Sequence, residues 1–532
     1  DCKGFWRARV GSPKRVPRKG GGIDLVIPVV EGPRYIVNAI TFPDIKVFKK
    51  EELMPALSLI GNMPYSSKKM RDDIRMVRSY YGSRGYADVS VIPDVREIEG
   101  AKVDILYRIT TGTRKRVGLV NIQGNTKSQD RVIRREVPMQ PGEFYNSVDL
   151  ETTKRRLKNL GYFQDVQVTG AASSQEGYRD VNILVQEQRT GTINFGLGFS
   201  SIDSILGRIN LEQSNFDITN WGRFTGAGQR FSVNLQVGSQ RTDFRVSLVE
   251  PWFLGQKLSL GTDLYYRDLI FLSPEYDQTN VGASVFLRKP VGRRSYIKGE
   301  YRVETIEIEA ENDTSQVFKD EEDKYLRSAL SLNYVYDSRD SNRLPRRGHK
   351  VDLGLIYAGG LLAGDVDTMT FTGSGTKHWS LPFDTILTAR GSFAVVDSHG
   401  GDDNLPIFER QFLGGARDLR GFQFRDIGPR DATGPNATQE VLGGATSVFG
   451  SLEFTFPVIG QVRGAVFYDA GFVNSDSWDF NTGRLASDVG IGVRLNLPGI
   501  GPLAVDFAVP VETPDDQADD GSQIQFYMDY QF

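Results

Sequence analysis

Cysteine is nearly absent from this chain: among 532 residues there is one, Cys2. That excludes an internal disulfide framework and a cysteine-based zinc site. An oxidising compartment is compatible with such avoidance but not required by it. No signal peptide precedes Cys2, so it reads as an ordinary residue near a truncation point rather than as a lipid anchor. Long apolar runs are missing as well. A membrane-spanning helix needs roughly 20 consecutive apolar residues, whereas a stretch such as Ile23 to Val30 is short and carries Asp24. Charge of one sign is not in surplus either. The net charge is −3 with acids and bases interspersed, so no basic stripe offers itself to nucleic acid. His349, His378 and His399 lie on separate segments and make no ligand cluster. No serine elbow, phosphate loop or dinucleotide fingerprint occurs, because Gly196-Leu197-Gly198 sits in a strand with no helix after it. Asp515, Asp516, Asp519 and Asp520 lack calcium-loop spacing and read as a solvated loop. Neither an enzyme nor a cofactor is expected.

Glycine (57), phenylalanine (31) and tyrosine (21) are plentiful. This mixture suits antiparallel strands with one greasy face and tight turns. The first 190 residues contain a repeat. Gly4-Phe5-Trp6-Arg7-Ala8-Arg9-Val10 resembles Gly85-Tyr86-Ala87-Asp88-Val89-Ser90-Val91 and Gly161-Tyr162-Phe163-Gln164-Asp165-Val166. A strand follows each, at Ile23, Val103 and Val181. The second and third units also open with apolar strands at Val37 and Val117. Ser66 or Ser67, and Asn146 or Ser147, precede helical patterns and can cap them. Met70, Ile74, Val77 and Tyr81 share one helical face; Leu150, Leu157 and Leu160 share another. Each helix is expected to stop at a glycine in the left-handed conformation. The order is strand, helix, helix, strand, strand.

After Gln188 the helical period gives way to alternation. Ile193, Phe195, Leu197 and Phe199 alternate with Thr192, Asn194, Gly196 and Gly198, and Ile524, Phe526, Met528, Tyr530 and Phe532 alternate with polar or small partners. Sixteen candidate strands run from 192–200 to 523–532. Their polar face carries Arg, Asp and Asn inside strands, as a wet lumen allows, and closure is required in lipid because no backbone group can be left unpaired. One long loop, 398–444, interrupts the series and is expected to be functional. Leu419-Arg420-Gly421-Phe422 lies within it. Glu453 stands on the face opposite Leu452 and Phe454, and Asp469 on the face opposite Val466 and Tyr468, so both carboxylates are expected to point into the lumen from adjacent strands. An arginine suits such a pair because its fork binds bidentately. Arg417 and Arg425 compete for that role, but Gly421 is expected to let the backbone turn tightly and Phe422 to anchor the tip.

The repeated unit resembles the POTRA (polypeptide-transport-associated) domain. The division that follows is 1–32, the C-terminal part of one POTRA domain; 33–112 and 113–189, two complete ones; and 190–532, a transmembrane β-barrel. Leu419-Arg420-Gly421-Phe422, with Glu453 and Asp469, is similar to the loop motif and its strand partners in the superfamily of outer-membrane insertases and transporters. Arg347-Gly348 to Gly354 and Pro251-Trp252-Phe253-Leu254-Gly255 resemble strand segments of that superfamily. The resemblance implies a sixteen-stranded antiparallel barrel in a bacterial outer membrane, its POTRA domains in the periplasm, that folds and inserts other outer-membrane barrels. Implied partners are unfolded barrel clients, accessory assembly lipoproteins, periplasmic chaperones and the lipid bilayer. Clients would be templated at a lateral seam where the first strand, weakened by Gly196 and Gly198, meets the last, with Phe526, Tyr527 and Phe532. The superfamily's usual glycine is not evident in that last strand. A two-partner-secretion-type transporter is the alternative, though such relatives typically bear two POTRA domains.

Overall fold

The computed structural model describes residues 4–17, 22–43, 45–200, 204–311, 314–342, 344–399, 405–431, 440–497, 501–516 and 521–528. The chain divides into two compact units at about residue 190.

In the N-terminal unit, two three-stranded sheets repeat one design. The first joins Ile36–Thr41, Lys102–Thr110 and Ser90–Ile98, with Lys102–Thr110 in the middle. The edge strand Ile36–Thr41 runs parallel to the middle one, and Ser90–Ile98 runs antiparallel. A parallel neighbour needs a crossover, and the helix Ser67–Gly82 lies within the connecting segment. Ser66 caps that helix by accepting from the Lys69 amide. Val77 and Tyr81 are sealed in the core, with Met70 and Ile74 packed beside them. The second sheet joins Arg116–Gln123, Tyr178–Glu187 and Phe163–Ala172 in the same arrangement. Asn146 caps its helix Ser147–Asn159, and Leu157 is buried. The helix ends differ from expectation in one respect. Gly161 (φ 74°) does follow the second helix in the left-handed region. Gly82, however, is the last helical residue of the first, with Ser83 as its cap. Its lack of a Cβ is needed for close packing instead, since a Cβ there would fall 2.0 Å from Ser147 Oγ. Ahead of both sheets, Arg9–Val10 pairs with Val29–Val30, and Lys14–Pro17 with Ile23–Val26.

The second unit is one sheet of sixteen strands, every neighbouring pair antiparallel and consecutive in sequence. The strands are β1 (Gly191–Ser200), β2 (Ser204–Phe216), β3 (Gln229–Gly238), β4 (Arg241–Glu250), β5 (Ser259–Leu269), β6 (Tyr276–Pro290), β7 (Ser295–Ala310) and β8 (Lys324–Asp337). They continue as β9 (Gly348–Ala358), β10 (Thr368–Ser380), β11 (Ile386–Ser398), β12 (Thr446–Ile459), β13 (Val462–Asn474), β14 (Ala486–Leu497), β15 (Gly501–Glu512) and β16 (Gln523–Met528). The first and last strands come together, and the sheet is a barrel. Its outer face is apolar and uncovered: Phe195 and Leu197 are each 77% exposed, and Leu332, Leu452, Ile491 and Phe507 also face outward. Its inner face buries Asp243, Glu300, Arg327, Asp469 and Asp506. Apolar outside and charged inside inverts a soluble sandwich and fits lipid around a polar lumen. No described helix is long and apolar enough to cross a membrane. One short helix, Gln316–Asp320, stands in the β7–β8 connection, a stretch that reads in the sequence as a loop between strands. Five residues are too few for a 3.6-residue period to register.

Candidate functional site in the barrel lumen

β12 to β15 line a sealed patch of the lumen. Alternation sends Ser451 and Glu453 of β12, Asp469 of β13, Asp488 and Arg494 of β14 and Asp506 of β15 to one face, while Leu452, Tyr468, Val489 and Phe507 take the other. Into this patch the loop between β11 and β12 delivers Arg420, which is 0% exposed. Its Nε donates to Asp469 Oδ2 at 2.7 Å and its Nη2 to Asp469 Oδ1 at 2.9 Å, a bidentate fork. Nη1 donates to Glu453 Oε2 at 2.7 Å and to Asp506 Oδ2 at 3.4 Å. The guanidinium carbon lies 3.3 Å from the ring centroid of Phe467, adding a cation–π contact on its remaining face. A planar cation with every edge engaged is over-determined in position.

The structure thus brings together Arg420, Glu453 and Asp469. It leaves Arg417 on the exposed side of the loop and stacks Arg425 over Phe412. Leu419 and Phe422 are buried with Leu413, Ile427, Phe449, Val473 and Ala486, so the tip is held by apolar packing as well as charge. Gly421 plays a part other than the expected one. It does not occupy the left-handed region; Gly414 (φ 111°) and Gly415 (φ 101°) do. A Cβ at Gly421 would come within 2.5 Å of Asp488 Cβ, so the glycine is there for close approach to the wall. Arg494, Asp506, Asp488, Ser451 and Phe467 were not assigned to this site from the sequence. Arg494 donates to Glu453 Oε2 at 2.7 Å and to Asp506 Oδ1 at 2.5 Å, making a two-cation network, and Asp488 is buried beside it. Strand parity was the available signal: Arg494 and Asp506 alternate with apolar residues just as Glu453 and Asp469 do.

A sequence model described as the Omp85 superfamily domain matches residues 223–532. The chain belongs to the Omp85 superfamily. A second model, for POTRA and described as a surface antigen variable number repeat, matches residues 35–112 and 115–188 of this Omp85 protein. An outer membrane protein assembly factor BamA from Nitratidesulfovibrio vulgaris is 26% identical over 99% of the chain, and one from Neisseria meningitidis serogroup B is 24% identical over 89%. The chain spans 65% of the first relative's length and 61% of the second's. Among solved structures, the crystal structure of BamA from Haemophilus ducreyi lacking POTRA domains 1-3 is 22% identical, with a TM-score of 0.78, covering 92% of this chain and 99% of that one. CdiB from Acinetobacter baumannii aligns at a TM-score of 0.51 and 14% identity over 93% of this chain and 89% of its own. Both likenesses concern the fold.

The other expected site of this Omp85 barrel is its seam. β1 and β16 lie next to each other, yet among the described residues no pairing joins them. β1 pairs fully with β2, including Gly196 with Arg208 and Gly198 with Leu206. Gly196 has open space where a side chain would stand. On the other side, Phe526 pairs with Val505 and Tyr527 with Ala504. Phe532 lies outside the described residues. No cluster of three metal-ligating side chains occurs among the described residues. Of the four aspartates read as a solvated loop, Asp516 makes an ion pair with Arg484 at 2.6 Å, and Asp519 and Asp520 lie outside the described residues.

Proposed function

We propose that this Omp85 protein folds and inserts other β-barrel proteins into the outer membrane, as the name of its assembly-factor relatives indicates for them. The observation that carries the reading is the seam. Two edge strands meet in a lipid-facing wall, and among the described residues they share no hydrogen-bond ladder. Unpaired edges are templates for further strands, and an unpaired backbone group in lipid costs several kcal/mol. A client strand that pairs there relieves the seam, and burial of its apolar face in lipid drives the rest. The process forms no covalent bond, so the proposal includes neither a catalytic group nor a cofactor. The two POTRA domains would stand in the periplasm and offer sheet edges, such as Ser90–Ile98 and Arg116–Gln123, to extended clients, chaperones or assembly lipoproteins by β-augmentation.

The test is reconstitution in liposomes with an unfolded barrel client. Client folding, read as a heat-sensitive shift on a gel, should be faster than in protein-free liposomes. Equal rates would sink the proposal. Passage of a soluble polypeptide into the liposome interior, without barrel folding, would instead support the transporter alternative.

A further inference from the structure

The loop after β11 does more than carry Arg420. It leaves β11 and returns as β12, adjacent strands, so contact with those two alone would satisfy its connectivity. Its residues reach much further. In one direction Arg420 reaches β13 and β15, and the Phe422 carbonyl accepts from Gln525 Nε2 of β16 at 3.2 Å. In the other direction Glu409 crosses back over β9 and β10 to the inner face of β7 and β8. There it accepts from Arg327 Nε of β8, whose Nη1 also donates to Glu304 Oε1 of β7 at 3.2 Å. Glu304 additionally accepts from the Tyr265 hydroxyl of β5 at 2.8 Å. Arg327, Glu304 and Glu409 are each under a tenth exposed. The neighbouring Arg410 donates to Glu321 Oε1 at 2.8 Å, and Ile407 is buried among Tyr276, Ile306, Ile308 and Phe318.

The two anchor points have opposite polarity. At one the loop supplies the cation to acids of the wall; at the other it supplies an acid to a cation of the wall. We propose that Arg327 is a positioning residue: with Glu409 and Glu304 it forms a second latch that braces the loop between β7–β8 and β12–β16 and fixes the point from which Arg420 reaches its partners. Removing Arg327 would leave Glu304 and Glu409 facing each other in a buried node without their cation, whereas removing the charge of Glu409 leaves Arg327 paired with Glu304. The two changes therefore have unequal predicted effects.

As a role in insertion, this rests on the function proposed above, so the test reads the loop separately from activity. Trypsin cleavage after Arg410, whose side chain is only 11% exposed, reports release of the latch in the intact folded chain. Arg327→Gln should speed that cleavage and slow client insertion, each about tenfold, the scale of a coupled buried pair. Glu409→Gln should have a smaller effect in the same direction. The double variant R327E/E409R keeps two acids and one cation at the node and should restore both protection and insertion. Wild-type protection in Arg327→Gln, or a double variant as damaged as the worse single one, would overturn the latch. If Arg327→Gln does not fold, unchanged protection in Glu409→Gln overturns it equally. If the cleavage pattern holds but the unmodified chain inserts no client, the functional reading falls and the brace stands.

Discussion

A guanidinium sealed from water is tolerable only when its neighbours complete it, and the lumen of this barrel shows what completion requires. Arg420 has Asp469 on its fork, Glu453 and Asp506 at its third nitrogen, and Phe467 beneath its plane. Arg420→Ala should cost about 3–5 kcal/mol, the usual loss when one partner of a buried pair is removed, and should lower the temperature at which the barrel unfolds on a gel. Arg420→Lys should recover only part of that, since an ammonium cannot make the fork. An alanine variant with unchanged heat stability would contradict the pairing. Away from the membrane, Glu187 gives a pH prediction. It accepts from the Ser128 amide at 2.6 Å and from the Lys127 amide and Thr126 hydroxyl at 2.9 Å. Partial burial works against ionisation, but these bonds outweigh it and hold the carboxyl below its usual value. A lowered folded value means that the stabilisation is present above the unfolded pKa of about 4.3 and is lost as pH falls through the folded one. The melting temperature of the N-terminal unit should therefore fall on going from pH 7 to about pH 3. Glu187→Gln should flatten that dependence, and an identical slope in the variant would rule Glu187 out as its source.

At the scale of elements, the loop and the seam respond to opposite kinds of change. The loop is packed so closely to the wall that one added methyl matters. Gly421→Ala would drive a Cβ to 2.5 Å from Asp488 Cβ, and overpacking of that kind costs about 1–3 kcal/mol. Chemical denaturation should show the loss; a variant with wild-type stability would mean the loop can shift without cost. The seam, in contrast, has room. A cysteine at Gly196 paired with one near Tyr527 should form a disulfide under oxidation and halt client insertion, with recovery on reduction. Insertion at the normal rate with the seam locked would exclude templating there. Of these two elements, the sequence showed the strands well and the loop's partners incompletely. Alternation fixes which face Glu453 and Asp469 take, because each strand residue points opposite to its neighbour. It does not state which strands lie near a loop, so Asp506 and Arg494 escaped notice although they follow the same parity.

For the molecule as a whole, two units with separate cores imply separable damage. The core around Val77, Tyr81, Val103 and Tyr107 contains only residues of the first complete POTRA domain, joined by Trp6 from the segment before it. Deleting residues 33–112 should leave a barrel that still folds and shows the heat-sensitive shift on a gel, while assembly of other barrels in cells falls. Normal assembly by the shortened protein would remove this domain from the mechanism.

The sequence alone determined the elements and their faces. Apolar alternation from Ile193 onward dictated strands with a greasy outside, and the absence of any long apolar run left a closed sheet as the way to satisfy every backbone group in lipid. The recurrence of capped helices at Ser66 and Asn146 fixed the repeated design before the barrel. These are local properties, set by residues within one or two turns of each other. The tertiary structure decided what depends on distance across the sheet: that Arg420, and neither Arg417 nor Arg425, fills the acidic patch; that Gly421 serves close approach rather than a turn; and that Glu409, on the loop leaving β11, meets Arg327 of β8 beyond β9 and β10. Parity specifies a face but no neighbour, and a buried charge is satisfied only by the particular partner that folding brings within reach.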